Sequence, residues 1–294
     1  MSATETLSPY LPSDHLQPDV LQAYFHRIGY TGEKTPTLAT LSTIHFLHPQ
    51  AIPFENLNPF MRWPVRLDMQ SLQEKLLLEG RGGYCFEHNL LLGRVLKTLG
   101  FRVKGLAARV LWNVPDGIET ARGHMLLLID LEGERYIADV GFGGLTLTAP
   151  LRLQPNLEQT TPHEPFRLVE TGEEFTLQAL IKGEWKAVYR FSLQEQLLPD
   201  YEVTSWYLSN HPGSHFVTGL IAARTTPEGR YTLRNHEMAF HDKSGQTIKN
   251  TVSSARELRE TLEKVFQIRI SAAAEVEAAL QKIIDQVKPT PPAE

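Results

Sequence analysis

Arg81-Gly82-Gly83-Tyr84-Cys85-Phe86-Glu87-His88-Asn89 holds the only cysteine among 294 residues. Two glycines close one segment. Leu90, Leu91, Leu92, Val95, Leu96 and Leu99 then follow, apolar over more than one helical face, until Gly100. The spacing predicts a buried helix that starts at Cys85 and ends near Leu99. A cysteine at that first position faces unpaired backbone N–H groups and the positive end of the helix dipole, which favour an anionic sulfur. The same N–H groups can stabilise the oxyanion formed when a carbonyl is attacked. The other use of a free cysteine is as a small buried hydrophobe. One cysteine allows no intramolecular disulfide, in keeping with a reducing cytoplasm.

A thiolate nucleophile needs a histidine, and a third polar group orients that histidine. Of the eleven histidines, His124 opens the apolar run Met125-Leu126-Leu127-Leu128-Ile129, and Asp139 closes Tyr136-Ile137-Ala138. Asp130-Leu131-Glu132-Gly133-Glu134 reads as a hairpin turn centred between Leu131 and Glu132. That centre sets His124 opposite or nearly opposite Asp139 on neighbouring strands. A one-residue slip would turn one of the two to the other face. Alone, His124 is a strand-end histidine and Asp139 a turn residue; with Cys85 they form a Cys–His–Asp set. His88, three residues past Cys85, competes for the thiol, but has no carboxylate to orient it apart from Glu87, which points elsewhere, and is read as structural. The pairs His45/His48 and His211/His215 invite a zinc reading. No cysteine cluster supports either, and Pro212-Gly213 interrupts the second, so no metal is expected. Asp139-Val140-Gly141-Phe142-Gly143-Gly144 places glycines beside the candidate aspartate, where backbone can approach a phosphate-bearing thioester donor; a tight strand-end turn is the plainer reading. The stretch has neither the Lys-Ser/Thr of a P-loop nor dinucleotide-fingerprint spacing.

The flanking sequence changes character along the chain. Asp14 and Gln17 resemble a capping box before Pro18; Val20, Leu21, Tyr24 and Ile28 recur at helical spacing, and Gly29 offers a stop. Further helices are expected at 37–48, meeting Pro49, and at 69–78 before Gly80. Segments 103–112, 124–131, 135–140, 165–170, 174–181 and 185–191 are short, rich in branched and aromatic residues, and punctuated by Gly, Pro and Asp. They predict an antiparallel sheet or small barrel. Beyond them strands mix with helices. Ser254 and Glu257 form a capping pattern ahead of Leu258, Leu262 and Val265, and Val276, Leu280, Ile283 and Val287 repeat at helical spacing. The proline-rich tail at 288–294 is expected to fray.

Lys and Arg number 29 against 34 Asp and Glu, a net charge of −5, with 41% hydrophobic residues. This balance excludes a disordered chain, a collagen-like fibre and a Cys-rich scaffold, and the mild acidity argues against a nucleic-acid binder. No run approaches the ~18 apolar residues of a membrane span, and the first residues show no secretory signal. The length suits two or three domains.

Ile52-Pro53-Phe54-Glu55-Asn56-Leu57, the cysteine stretch, Gly123-His124-Met125-Leu126-Leu127, the Asp139–Gly144 stretch and Ser209-Asn210-His211-Pro212 occur in this order. In these pieces the chain resembles the bacterial arylamine N-acetyltransferases. The resemblance implies an α+β fold in three parts: an N-terminal helical bundle over 1–100 carrying Cys85, a central antiparallel β-barrel over 101–205 carrying His124 and Asp139, and a C-terminal α/β lid over 206–294. The triad would be arranged as in papain-like and transglutaminase enzymes, with Cys85 carrying acetyl, His124 activating the thiol and Asp139 orienting His124. Acetyl-CoA would be a co-substrate, with no permanently bound cofactor. The acceptors would be small arylamines, hydrazines and arylhydroxylamines, as in xenobiotic metabolism, served by ping-pong kinetics. Phe54, Phe142 and Phe216 stand at places where members line the acceptor pocket, with core packing the other reading for Phe54 and Phe216. Gly143 and Gly144 would approach the donor. Gly123 departs from the Thr that many members carry before the triad histidine. An amide synthase or a cysteine hydrolase is the alternative on the same scaffold. No nucleic acid or membrane partner is expected, and the chain would be a cytoplasmic monomer or homodimer.

Overall fold

Pro18 opens α1 (Pro18–Ile28), whose Tyr24, Phe25 and Ile28 face inward, in a computed structural model that describes residues 15–115 and 117–286. Asp14 of the expected capping box, Val287 and the tail lie outside the described residues. Gln17 is at the N-cap but makes no side-chain cap. In α2 (Leu38–Ala51) the Thr37 hydroxyl caps the first turn at Thr40 N–H. The helix does not stop before Pro49, as the sequence reading has it, but runs through it to Ala51. Pro49 deprives the helix of the one bond its missing N–H would have made to the His45 carbonyl, and the helix carries on for two more residues. β1 (Phe54–Glu55) and α3 (Leu57–Phe60) follow, then α4 (Met69–Gln73), which continues as a π-helical turn over Glu74–Leu78. α5 (Cys85–Thr98) buries nearly its whole circumference, as its all-round apolarity predicts.

Seven antiparallel strands come next: β2 (Arg102–Val110), β3 (His124–Leu131), β4 (Glu134–Ala138), β5 (Leu151–Arg152), β6 (Phe166–Thr171), β7 (Glu174–Ile181) and β8 (Glu184–Ser192). Their order is β5-β4-β3-β2-β8-β7-β6. The chain after β5 bridges to β6 through Pro155↔Leu168 and Gln159↔Phe166, which nearly closes the sheet into a barrel. Leu106, Leu126, Ile137, Leu177 and Tyr189 fill its interior. α6 (Leu198–Asn210) and α7 (His215–Thr218) lead to β9 (Ile221–Thr226), β10 (Gly229–Arg234), β11 (Glu237–Asp242) and β12 (Thr247–Thr251), and then to α8 (Ala255–Lys264) and α9 (Ala274–Asp285). The border drawn at 205/206 from the sequence lies within α6. The second sheet has the order β1-β9-β10-β11-β12, so the helical third of the chain contributes its edge strand. The fold is α+β: helices at both ends around a barrel and a second antiparallel sheet. Among the described residues no helix is long and apolar enough to cross a membrane.

The β3–β4 hairpin departs in register from the sequence reading. Leu131 pairs with Glu134 and Leu127 with Ala138, so the turn is Glu132-Gly133 rather than one centred between Leu131 and Glu132. Both turn residues have positive φ, 52° and 84°, the signature of a two-residue type I′ turn. The numbers of paired residues total 265, against 263 for a turn centred between Leu131 and Glu132. A shift of two keeps every side chain on its face, so His124 and Asp139 still share a side, diagonally rather than directly opposed.

Candidate active site

Cys85 is the first residue of α5, 4% exposed, with Tyr84 at the N-cap. The preceding loop is threaded against Pro53–Glu55. A Cβ on Gly82 would lie 1.9 Å from the Pro53 carbonyl oxygen, so only glycine fits this approach. Gly83 accepts from Glu55 N–H at 2.8 Å. Glu87 reaches back to the Tyr84 N–H at 3.0 Å and takes the Lys75 ammonium at 2.7 Å. Burial outweighs that ammonium and leaves the Glu87 carboxyl above its usual range. Glu55, also buried, pairs with Arg81 at 2.7 Å and accepts Leu57 N–H at 2.6 Å. Here burial is outweighed by Arg81, Lys75 and the Leu57 N–H, and the carboxyl is held below its usual range.

His124 begins β3, and its Nε2–H donates to Asp139 Oδ2 at 2.7 Å. Burial opposes charge on the ring, but the Asp139 carboxylate prevails, helped by a hydrogen bond with Cys85, and His124 is pushed up to about 10. Asp139 is fully buried. Its Oδ1 accepts from Asn89 Nδ2 at 3.0 Å and Gly141 N–H at 2.9 Å, and its carbonyl accepts from the Thr146 hydroxyl at 3.0 Å. Against the penalty of burial, His124, Asn89 and the Gly141 N–H hold its carboxyl below the usual range. The Cys85 thiol also lies 3.9 Å from the Gly123 carbonyl. The fold thus brings Cys85, His124 and Asp139 together at the junction of α5 and the β3–β4 hairpin. Gly141 makes the junction close: a Cβ there would sit 2.7 Å from Cys85 Cα.

Aromatic rings wall this junction on two sides. Phe142 stands edge-on to His124 at 5.1 Å and beside Tyr189 at 5.4 Å. Phe54 and Phe216 are 6.2 Å apart, and Phe216 also meets Tyr84 at 5.5 Å. Gly143 packs under the Phe54 ring, whereas Gly144 lines a cleft of about 970 Å³ between the barrel and the second sheet. Phe142, Trp112, Lys182, Lys186 and Lys243 also line that cleft, so Phe142 is common to it and to the His124 wall.

Both ring nitrogens of His88 are engaged elsewhere, by His48 at 2.9 Å and by the Gly83 and Pro53 carbonyls. His211 stacks on Tyr207 and His215 lies tilted against Phe216, while His45 accepts the Asp139 N–H at 3.0 Å. The sequence reading missed His45, His48, Asn89 and Tyr189 as neighbours of the site. Asn89, one helical turn past Cys85, is the one that spacing could have found.

A family model described as N-acetyltransferase matches residues 37–276. An arylamine N-acetyltransferase of Mycobacterium tuberculosis is 44% identical over 271 residues, covering 91% of this chain and 95% of that protein. The solved structure of Mycobacterium marinum arylamine N-acetyltransferase superposes with a TM-score of 0.87 at 42% identity, covering 90% of this chain and 99% of that one. The same enzyme in complex with CoA gives a TM-score of 0.85 at 42% identity, covering 91% and 99%. A family model over most of the chain, a relative of this identity and solved structures of matching extent place the chain in one family: it belongs to the arylamine N-acetyltransferases, which are acyltransferases.

Proposed function

We propose that the protein transfers acetyl from acetyl-CoA to the nitrogen of arylamines and hydrazines, or to arylhydroxylamines, through an acetyl-Cys85 intermediate. The observation that carries this is the buried His124–Asp139 contact of 2.7 Å beside Cys85 at a helix N-terminus. A His124 that keeps its proton through neutral pH is the partner a Cys85 thiolate needs. The thiolate attacks the thioester carbonyl, and the first-turn N–H groups of α5 face the oxyanion. As the C–S bond to CoA breaks, imidazolium His124 protonates the departing thiolate. The neutral imidazole then takes a proton from the incoming amine as the acetyl–Cys85 bond breaks, which restores the thiolate and the imidazolium. Two half-reactions through one intermediate predict ping-pong kinetics.

The cleft supports the donor assignment. Lys182, Lys186 and Lys243 offer charge for CoA phosphates, and Gly144 and Phe142 lead from there toward His124. Phe54, Phe142 and Phe216 give a flat acceptor faces to stack on. A weakly basic arylamine is neutral at pH 7 and attacks directly; a protonated alkylamine does not. The helical part would supply the nucleophile, the barrel its histidine and aspartate, and the second sheet with α8 and α9 the lid. The enzyme would act in the cytoplasm on xenobiotic amines, with acetyl-CoA as co-substrate and no resident cofactor.

The test is intact-protein mass spectrometry after brief exposure to acetyl-CoA, followed by an aromatic amine. One acetyl group mapped to Cys85 and removed by the amine is the expected result. CoA release with no label and no acetylated amine would favour a cysteine hydrolase. No label and no release in folded protein would overturn the assignment.

A further inference from the structure

His45 and His48 stand one turn apart on α2. Both are fully buried, and neither belongs to the Cys85–His124–Asp139 set. His45 Nε2 accepts the Asp139 main-chain N–H, so its own proton is on Nδ1, which is buried with no hydrogen-bond partner among the described residues. A side chain kept only to fill the core would not leave an orphaned N–H where leucine could stand. His48 leads the other way. Carbonyls only accept, so His88 Nε2–H donates to Gly83 O at 3.0 Å and Pro53 O at 3.2 Å. His88 Nδ1 therefore accepts from His48 Nε2–H at 2.9 Å, and His48 Nδ1 accepts from the Tyr24 hydroxyl at 2.9 Å. The direction of every proton in the chain follows from its carbonyl end. Burial brings His45 and His88 down to about 4 and His48 well below its usual value, so all three rings are neutral, as these bonds require.

One helix thus grips both halves of the site. Gly83 lies two residues before Cys85, and Asp139 holds His124. We propose that His45 and His48 are positioning residues for acetyl transfer: His45 fixes the Asp139 main chain and His48, through His88, fixes the Gly83 carbonyl, so that α2 sets the spacing between nucleophile and histidine. This rests on the reading of Cys85 as the nucleophile.

Leucine at either position keeps bulk and removes both polar atoms; glutamine keeps an acceptor oxygen and a donor nitrogen. The readouts are kcat, KM for acetyl-CoA, and the pH profile of Cys85 alkylation by iodoacetamide. His45→Leu and His48→Leu are expected to lower kcat by about 10–100-fold, because small misplacements at a reacting centre have effects of that size. KM should stay within about twofold, since neither residue lines the cleft. The alkylation profile of His45→Leu should shift, and His45→Gln and His48→Gln should recover most of kcat. Folded leucine variants with parental kcat and profile overturn the proposal, as do glutamine variants that fall as far as leucine. Should leucine prevent folding, His45→Phe keeps a ring and Tyr24→Phe removes a single hydroxyl at the far end; parental kcat and profile in both overturn it. A parent protein that takes no acetyl on Cys85 would instead sink the functional reading, before any variant is compared.

Discussion

Asp139 is fully buried, yet its side chain and main chain meet His124, Asn89, Gly141, Thr146 and His45. An amide at this position keeps the shape but loses the charge that lifts His124. Asp139→Asn should therefore leave a folded protein with kcat about 10³–10⁴-fold lower, by analogy with the same change in hydrolase triads. The alkylation profile of Cys85 should move to higher pH, because the imidazolium loses its carboxylate. Wild-type kcat with an unmoved profile would remove Asp139 from the set. Gly141 tests the packing of the same junction. Alanine there would meet Cys85 Cα at 2.7 Å and Asn89 Nδ2 at 2.9 Å. Neither has room to yield, since Cα is main chain and Nδ2 is held by Met125 and Asp139. Gly141→Ala should lose about 1–3 kcal/mol in urea unfolding, the usual range for overpacking. A variant as stable as the parent would show that this junction has room for a methyl group.

The β3–β4 hairpin begins at His124 and leads into Asp139, and its turn is improvable. Glu132 adopts φ 52°, a conformation that asparagine tolerates better than glutamate. Glu132→Asn should raise stability by about 0.5–1 kcal/mol, read as a higher Tm, with kcat unchanged because the turn lies at the far end of the hairpin. A lower Tm would mean that the glutamate makes a favourable contact. This hairpin also marks where sequence reasoning was strong and where it failed. His124 and Asp139 stood at the ends of apolar runs, so their meeting was legible even with the turn misplaced, because an error of two in register preserves the face. α5 was legible from its apolarity and its two flanking glycine signals. His45 and His48 were not, because each bonds a residue at least 40 positions away and local spacing records nothing of that. β1 is two residues long and draws its identity from β9, more than 160 positions on. β12 is exposed throughout, which leaves no alternation for a pattern to reveal.

Three separate parts converge on one small volume: α5 brings the cysteine, the barrel edge its histidine and aspartate, and α2 the histidines behind them. That convergence concentrates buried ionisable groups and gives the molecule its pH dependence. His45 and His88 are lowered to about 4 and His48 is lowered too, against an unfolded value near 6.5, so the unfolded chain binds more protons between those limits. Their contribution is fully present above pH 6.5 and is lost as pH falls toward 4. Each tenfold difference in proton affinity is worth about 1.4 kcal/mol, so these rings make stability fall as pH drops through that window. His124 acts in the opposite sense. Raised to about 10, it contributes fully below pH 6.5 and loses that contribution as pH rises through 10. Urea unfolding from pH 4 to 10 should therefore show stability falling steeply on the acid side and declining on the alkaline side. His45→Gln combined with His48→Gln should flatten the acid slope, and Asp139→Asn the alkaline one. An acid slope unchanged in the double variant would assign acid unfolding to the carboxylates instead, with Asp139 and Glu55, both held low in the fold, the first to examine.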